Sequence, residues 1–129
     1  MQDMFMRQRF PQFHFTWKNG IGVWKGTLQP REISPAYSIL IEYNIGLVPE
    51  VWVINPELRY NAPHIYRNNH SLCLWWPKEW RWSRSQDISR TVVPWAAIWL
   101  YYYELWLDTG EWQAPAAPHG PALRGSKLR

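Results

Sequence analysis

FHFTWKNGIGVWKGTLQ, residues 13 to 29, reads as two β-strands and the turn between them. FHFTW (13–17) alternates apolar and polar residues, the pattern of a half-buried strand, because successive side chains of an extended chain point to opposite faces. KNG (18–20) is a hairpin signal, since Asn and Gly tolerate the positive φ angles of a two-residue turn. IGVWKGTLQ (21–29) is then the returning strand. YSILIEY (37–43) follows the loop PREISP, and VWVI (51–54) follows IGLVPE; both are rich in strand-forming residues. Four strands joined by short turns, with no helical pattern between them, predict an antiparallel meander.

Residues 2–9 fit a short helix that the Phe10-Pro11 step ends, because a residue before proline is pushed toward extended geometry. From Asn55 to Ser85 the periodicity is lost in a stretch dense in Pro, Asn and Trp; such a length without regular structure inside a compact domain is usually functional. Ser83, followed three residues later by Gln86, fits a capping box. Ile88, Val92, Trp95, Trp99, Tyr102 or Tyr103, and Trp106 then recur at helical spacing, and Asp108-Thr109-Gly110 supplies a stop. Pro94 either kinks this helix or occupies its true first turn, with the preceding residues forming a separate turn. Trp95, Trp99 and Trp106 are assigned to the core. Ile98, Tyr101 and Leu105 make the opposite face apolar too, so the helix is covered on both sides or offers a docking surface, with Tyr101 and Leu105 as its candidate contacts. QAPAAPHGPALRGSKLR (113–129) reads as a flexible Pro/Ala/basic tail. The expected fold class is α+β, a four-stranded antiparallel meander with a long C-terminal helix packed on it, in one domain over residues 1–112.

Composition agrees with one core. A chain of 129 residues, 47% hydrophobic and with 11 tryptophans, has apolar area enough to fold without a disulfide or a structural metal. Basic residues exceed acidic ones by 14 to 10, yet Arg124, Lys127 and Arg129 crowd the last six positions. Residues 1–111 carry 11 basic and 10 acidic groups, which argues against a basic nucleic-acid footprint on the folded part. A single cysteine rules out an internal disulfide and points to a reducing, cytoplasmic setting. MQDMFMRQRF lacks an apolar core of signal-peptide length, and VVPWAAIWLYYYELWL, broken by Pro94 and Glu104, falls short of the ~20 residues that cross a bilayer. A soluble protein without a membrane partner is expected.

Within the irregular stretch, PHIYRNNHSLCLWWP (63–77) holds that cysteine, Cys73. A lone cysteine is most often a small buried hydrophobe. As a metal ligand it has His70 three residues away and His64, His14 and His119 to recruit, but zinc sites usually show two close ligand pairs, and neither CxxC nor HxxxH occurs. The missing P-C-x-x-C half also excludes a zinc deaminase. As a nucleophile, a sulfur at the end of a polar loop can be reached by a bulky substrate, with His64 or His70 as candidate bases. Trp75, Trp76, Trp80 and Trp82 suit a partner-binding ridge or rings packed over the sheet; packing is favoured for at least two of them.

A family resemblance sharpens the nucleophile reading. WKGTL (24–28), YSILIEY, PEVWVINP (49–56), PHIYRNNHSLCL and WSRSQDIS (82–89) follow the order of the core of ubiquitin-conjugating enzymes, from the W-x-G-T-I strand through H-P-N-[IV]-x-x-x-G-x-[IL]-C-L to W-S-P-x-x-x-I-S. The resemblance spans residues 13–108. Ala62 stands at that family's histidine and His64 at its asparagine, and the chain lacks its last two helices. The chain is more similar to the small conjugating-type proteins of bacterial CBASS antiphage operons. In these a P-H-x-Y segment precedes L-C-L, and the helix ends in W-L-x-x-Y-E-x-W-x-x-T-G-x-W, here WLYYYELWLDTGEW (99–112).

The resemblance implies that Cys73 forms a thioester with the C-terminus of the operon's cGAS-like nucleotidyltransferase (CD-NTase) and passes it to a target amine, priming antiphage defence. His64 would support the oxyanion or tie down the loop, Asn68 or Asn69 could replace it as donor, and His70 could assist proton transfer. Trp75, Trp76, Tyr101 and Leu105 would meet the partner. With no phosphate loop and no room for an adenylating domain, the acyl group must be activated elsewhere, by an external activating enzyme for instance, and no cofactor is expected. A catalytically silent adaptor of the same fold and an aromatic-rich module that stacks bases or sugars are the rival readings.

Overall fold

The computed structural model describes residues 1–75 and 78–113. Helix α1 (Gln2–Arg9) is followed by strands β1 (His14–Lys18), β2 (Ile21–Leu28), β3 (Tyr37–Asn44) and β4 (Glu50–Asn55), and then by the long helix α2 (Val92–Thr109). The strands form one antiparallel sheet in the order β1-β2-β3-β4, the expected meander, and the class is α+β.

Local sequence sets each turn of this path. Lys18 pairs with Ile21 across Asn19 and Gly20, whose φ angles of 52° and 79° are both positive, as a two-residue hairpin turn matching the strand twist requires. Along β3, Tyr37, Ile39, Ile41 and Tyr43 are buried and alternate with half-buried Ser38, Leu40 and Glu42, so one face of the sheet carries the core. Phe13 belongs to the same core. The ring of Phe13 lies so close over Gly26 that a Cβ there would sit 2.6 Å from Phe13 Cγ, which makes glycine the residue that fits.

Helix α2 covers that face with Val92, Val93, Trp95, Ala96, Trp99, Leu100 and Tyr103, all buried in the same core as the strand residues and Met6 of α1. Trp106 and Ile98 are partly buried against it. Glu104, which seemed only to interrupt an apolar run, is also buried; it accepts hydrogen bonds from Ser34 Oγ (2.7 Å), Tyr37 OH (2.8 Å) and Arg31 Nε (3.1 Å). A buried carboxylate persists only when paired in this way.

The start of α2 corrects the capping-box expectation. Ser83 Oγ bonds Ser85 Oγ, and the Gln86 N–H donates to the Ser83 carbonyl in a turn outside the helix. Asp87 explains why: its Oδ1 accepts the Ser89 N–H (2.9 Å) and hydroxyl (2.7 Å), while its carbonyl accepts the N–H groups of Arg90 and Thr91 and the Thr91 hydroxyl. These bonds close a separate turn before Val92. Pro94 therefore lies in the first helical turn, where an N–H has no partner within the helix and its loss costs little. Of the two readings of Pro94, this is the second. Ile88, placed by spacing on the helix, precedes it but is still fully buried. Gly110 ends α2 at φ 81°, donating its N–H to the Trp106 carbonyl (2.8 Å), as the Asp-Thr-Gly stop foretold. Gln2 fastens α1 to the turn before α2: its side-chain amide donates to the Gln86 carbonyl (2.7 Å) and accepts the Ile88 N–H (3.0 Å).

Candidate functional site

The loop after β4 is irregular but tightly bonded. Ile65 and Leu72 form an antiparallel bridge, flanked by Tyr66 N–H to Ser71 O (2.9 Å) on one side and Cys73 N–H to His64 O (2.9 Å) on the other. The His70 N–H returns to the Tyr66 carbonyl (2.7 Å), and His64 and His70 take φ angles of 58° and 66°, left-handed geometry that lets the chain reverse sharply. Two bonds dock this small hairpin on the edge of β4: Leu72 N–H to Val51 O (2.8 Å) and Trp52 Nε1–H to Asn69 O (2.8 Å). A third ties it to α2, from Trp99 Nε1–H to the His64 carbonyl (3.1 Å).

Alternation along Leu72-Cys73-Leu74 then fixes the cysteine. The two leucines are buried in the core, and Cys73 between them is half-buried and free. Its thiol donates to the Trp75 carbonyl (3.6 Å) and shares a side-chain hydrogen bond with the Tyr66 hydroxyl. Burial pushes the Cys73 thiol up from its ordinary value, and the Tyr66 hydrogen bond draws it part of the way back. Tyr66 itself is pushed up to about 12, by burial first and then by its bond and proximity to Cys73. The phenol is therefore a neutral donor at physiological pH. Sequence reading passed over Tyr66, although it stood in the P-H-x-Y segment, because its nearness to sulfur depends on the register of the hairpin.

The remaining candidates divide by what they touch. The ring of His64 packs on Trp112, 4.8 Å between centroids, and burial lowers its pKa, so the imidazole is neutral at pH 7. Its backbone carbonyl, holding Cys73 and Trp99, is the part that organises the site. Asn69 is committed to the loop: its Nδ2 donates to Glu50, and its Oδ1 accepts the Ser71 N–H (3.0 Å) and hydroxyl (2.8 Å). Asn68 and His70 are exposed. Trp75 is buried and packs edge-on against Trp80 and Trp95, so its ring belongs to the core. Trp76 lies outside the described residues, as does the expected tail from residue 114. On α2, Tyr101 is 39% exposed with the Arg31 guanidinium 6.0 Å from its ring centroid, and Leu105 is half-buried.

Beside the hairpin opens a cavity of about 810 Å³, walled by Leu47, Val48, Tyr66, Leu74, Trp80 and Trp82. Tyr66 thus lines this cavity and also bonds the sulfur. Among the described residues, no cluster of three or more His, Cys, Asp or Glu side chains is placed to hold a metal ion, and no helix is long and apolar enough to cross a membrane.

No curated protein matches the chain. The model of the family described as Type II CBASS E2 protein matches residues 2–120, and the chain belongs to that family.

Proposed function

We propose that the protein is a ubiquitin-conjugating-type acyl carrier with Cys73 as the nucleophile. The C-terminus of a partner protein is carried as a thioester on Cys73 and passed to a target amine; the partner is the CD-NTase of the same CBASS operon, charged by a separate activating enzyme. One observation carries this reading: a half-buried free thiol on a hairpin pinned to both the sheet edge and the long helix, in a chain of the CBASS E2 family. The order of meander, cysteine hairpin and crossing helix also supports a minimal ubiquitin-conjugating fold.

The chemistry suits such a thiol. Exchange of one thioester for another expels a thiolate, so a resting thiol whose pKa is raised needs only transient deprotonation to react. His64 contributes through its backbone, holding the Cys73 amide in place. Intact mass after coexpression with the neighbouring synthase tests the reading. A thiol-labile adduct on the wild type and none on Cys73→Ala is the expected result; no adduct under any activating condition overturns it. A catalytically silent adaptor is the second reading, favoured by the burial that pushes the thiol up, and conjugation that persists in Cys73→Ala would establish it.

A further inference from the structure

We propose that the Tyr66 hydroxyl is a catalytic group of this site, donating a hydrogen bond to Cys73 Sγ and stabilising the thiolate when it attacks and when it departs. This deepens the acyl-carrier reading and rests on it. The hairpin register supplies the geometry. In an antiparallel bridge the residues flanking the paired couple share the opposite face, so His64, Tyr66, Ser71 and Cys73 lie together on the face away from Ile65 and Leu72. A tyrosine is long enough to reach a diagonal neighbour across such a pair.

The other two side chains of that face are engaged elsewhere. The Ser71 hydroxyl donates to Asn69 Oδ1 (2.8 Å), and the His64 ring packs against Trp112. The thiol proton points to the Trp75 carbonyl, which leaves the sulfur lone pairs to accept from the phenol. Because the phenol keeps its proton up to about pH 12, it donates throughout the working range.

The steps balance without Tyr66 losing that proton. In loading, Cys73 gives its proton to solvent, sulfur bonds the acyl carbon of the donor thioester, and the donor's C–S bond breaks to release a thiolate that takes up a proton. In transfer, the acceptor nitrogen bonds the acyl carbon, the C–S bond to Cys73 breaks, and the proton shed by the amine matches the one that returns to sulfur. Negative charge on Sγ is fullest in the thiolate just before attack and just after departure, and there a hydrogen bond to a charged atom is worth more than one to a neutral thiol.

The test is iodoacetamide alkylation of the full chain as a function of pH, with Cys73→Ala as the blank. Tyr66→Phe removes one oxygen from a residue that is 41% exposed, and its alkylation midpoint is expected to move to higher pH with a rate about tenfold lower near neutrality. Tyr60→Phe, at a site 93% exposed, is expected to follow the wild type. Should Tyr66→Phe fail to fold, 3-fluorotyrosine at position 66, a stronger donor of nearly the same shape, is expected to move the midpoint to lower pH. An unchanged midpoint, or faster alkylation in Tyr66→Phe because the ring merely shields the sulfur, overturns the proposal. Alkylation needs no acyl donor, so its failure sinks the role of Tyr66 alone. A missing adduct on coexpression, with the alkylation midpoint still shifted in Tyr66→Phe, sinks the carrier reading and the catalytic role with it, and leaves only the hydrogen bond from Tyr66 to the thiolate.

Discussion

The carbonyl of His64 accepts the backbone N–H of Cys73 at 2.9 Å, and the same oxygen accepts Nε1–H of Trp99 at 3.1 Å. The cysteine is thus positioned through its main chain by a helix far away in sequence. An indole can fill the core and still present a directed donor at its edge.

Replacing Trp99 by Phe keeps an aromatic ring in a fully buried position but removes the donor and part of the volume. The expected cost is about 1–3 kcal/mol of unfolding free energy, combining an unsatisfied carbonyl with a partial cavity. Urea denaturation measures it. Alkylation of Cys73 in the folded variant should become faster as the hairpin loosens from α2.

His64 predicts a pH dependence of stability. Burial lowers its pKa in the folded chain below the ordinary 6.5, so as pH falls the unfolded chain takes up the proton first. Stability from the neutral, packed ring is complete above about 6.5 and is lost as pH drops from there to the folded-state pKa. Asn at position 64 tolerates the left-handed φ of 58° and carries no titrating group. His64→Asn is expected to lose less stability than the wild type between pH 7.5 and pH 5.5, read from urea midpoints. Parallel losses in the two proteins would count against the assignment.

Glu104 holds Arg31, Ser34 and Tyr37 to α2. Burial, and then the bond to this carboxylate, push the Tyr37 phenol well above its ordinary pKa and keep it a donor. Tyr37→Phe is expected to cost about 1.5–3 kcal/mol, the worth of a hydrogen bond to a charged acceptor. Glu104→Ala is expected to cost more, about 3–5 kcal/mol, because it strands the groups left behind. Thermal or urea unfolding of the two variants ranks them.

Gly26→Ala forces a methyl group onto the Phe13 ring at 2.6 Å. The ring is 3% exposed and has little room to give, so a loss of about 1–3 kcal/mol is expected from overpacking. The double variant Phe13→Leu/Gly26→Ala should recover part of it.

How much of this was legible in the chain varied with the range of the forces. Strands, hairpin turn, short first helix and helix stop follow from neighbours within a few positions: alternation in FHFTW and YSILIEY, Asn19-Gly20 at the turn, Gly110 at the end of α2. The capping box misled because Ser83 and Gln86 have the right spacing, whereas Asp87 gathers five later hydrogen-bond donors into a competing turn.

By itself, then, the sequence determined the meander, its order, the long apolar helix and the cysteine in its irregular loop, because periodicity and turn chemistry are written in adjacent residues. Only the tertiary structure decided that Tyr66 faces the sulfur, that Trp75 is a core ring, that Asn69 belongs to the loop, and that Glu104 anchors Arg31, Ser34 and Tyr37. Those facts depend on strand register and on which distant donor reaches a buried acceptor. Both are settled by packing the whole core together, and spacing along the chain carries no trace of them.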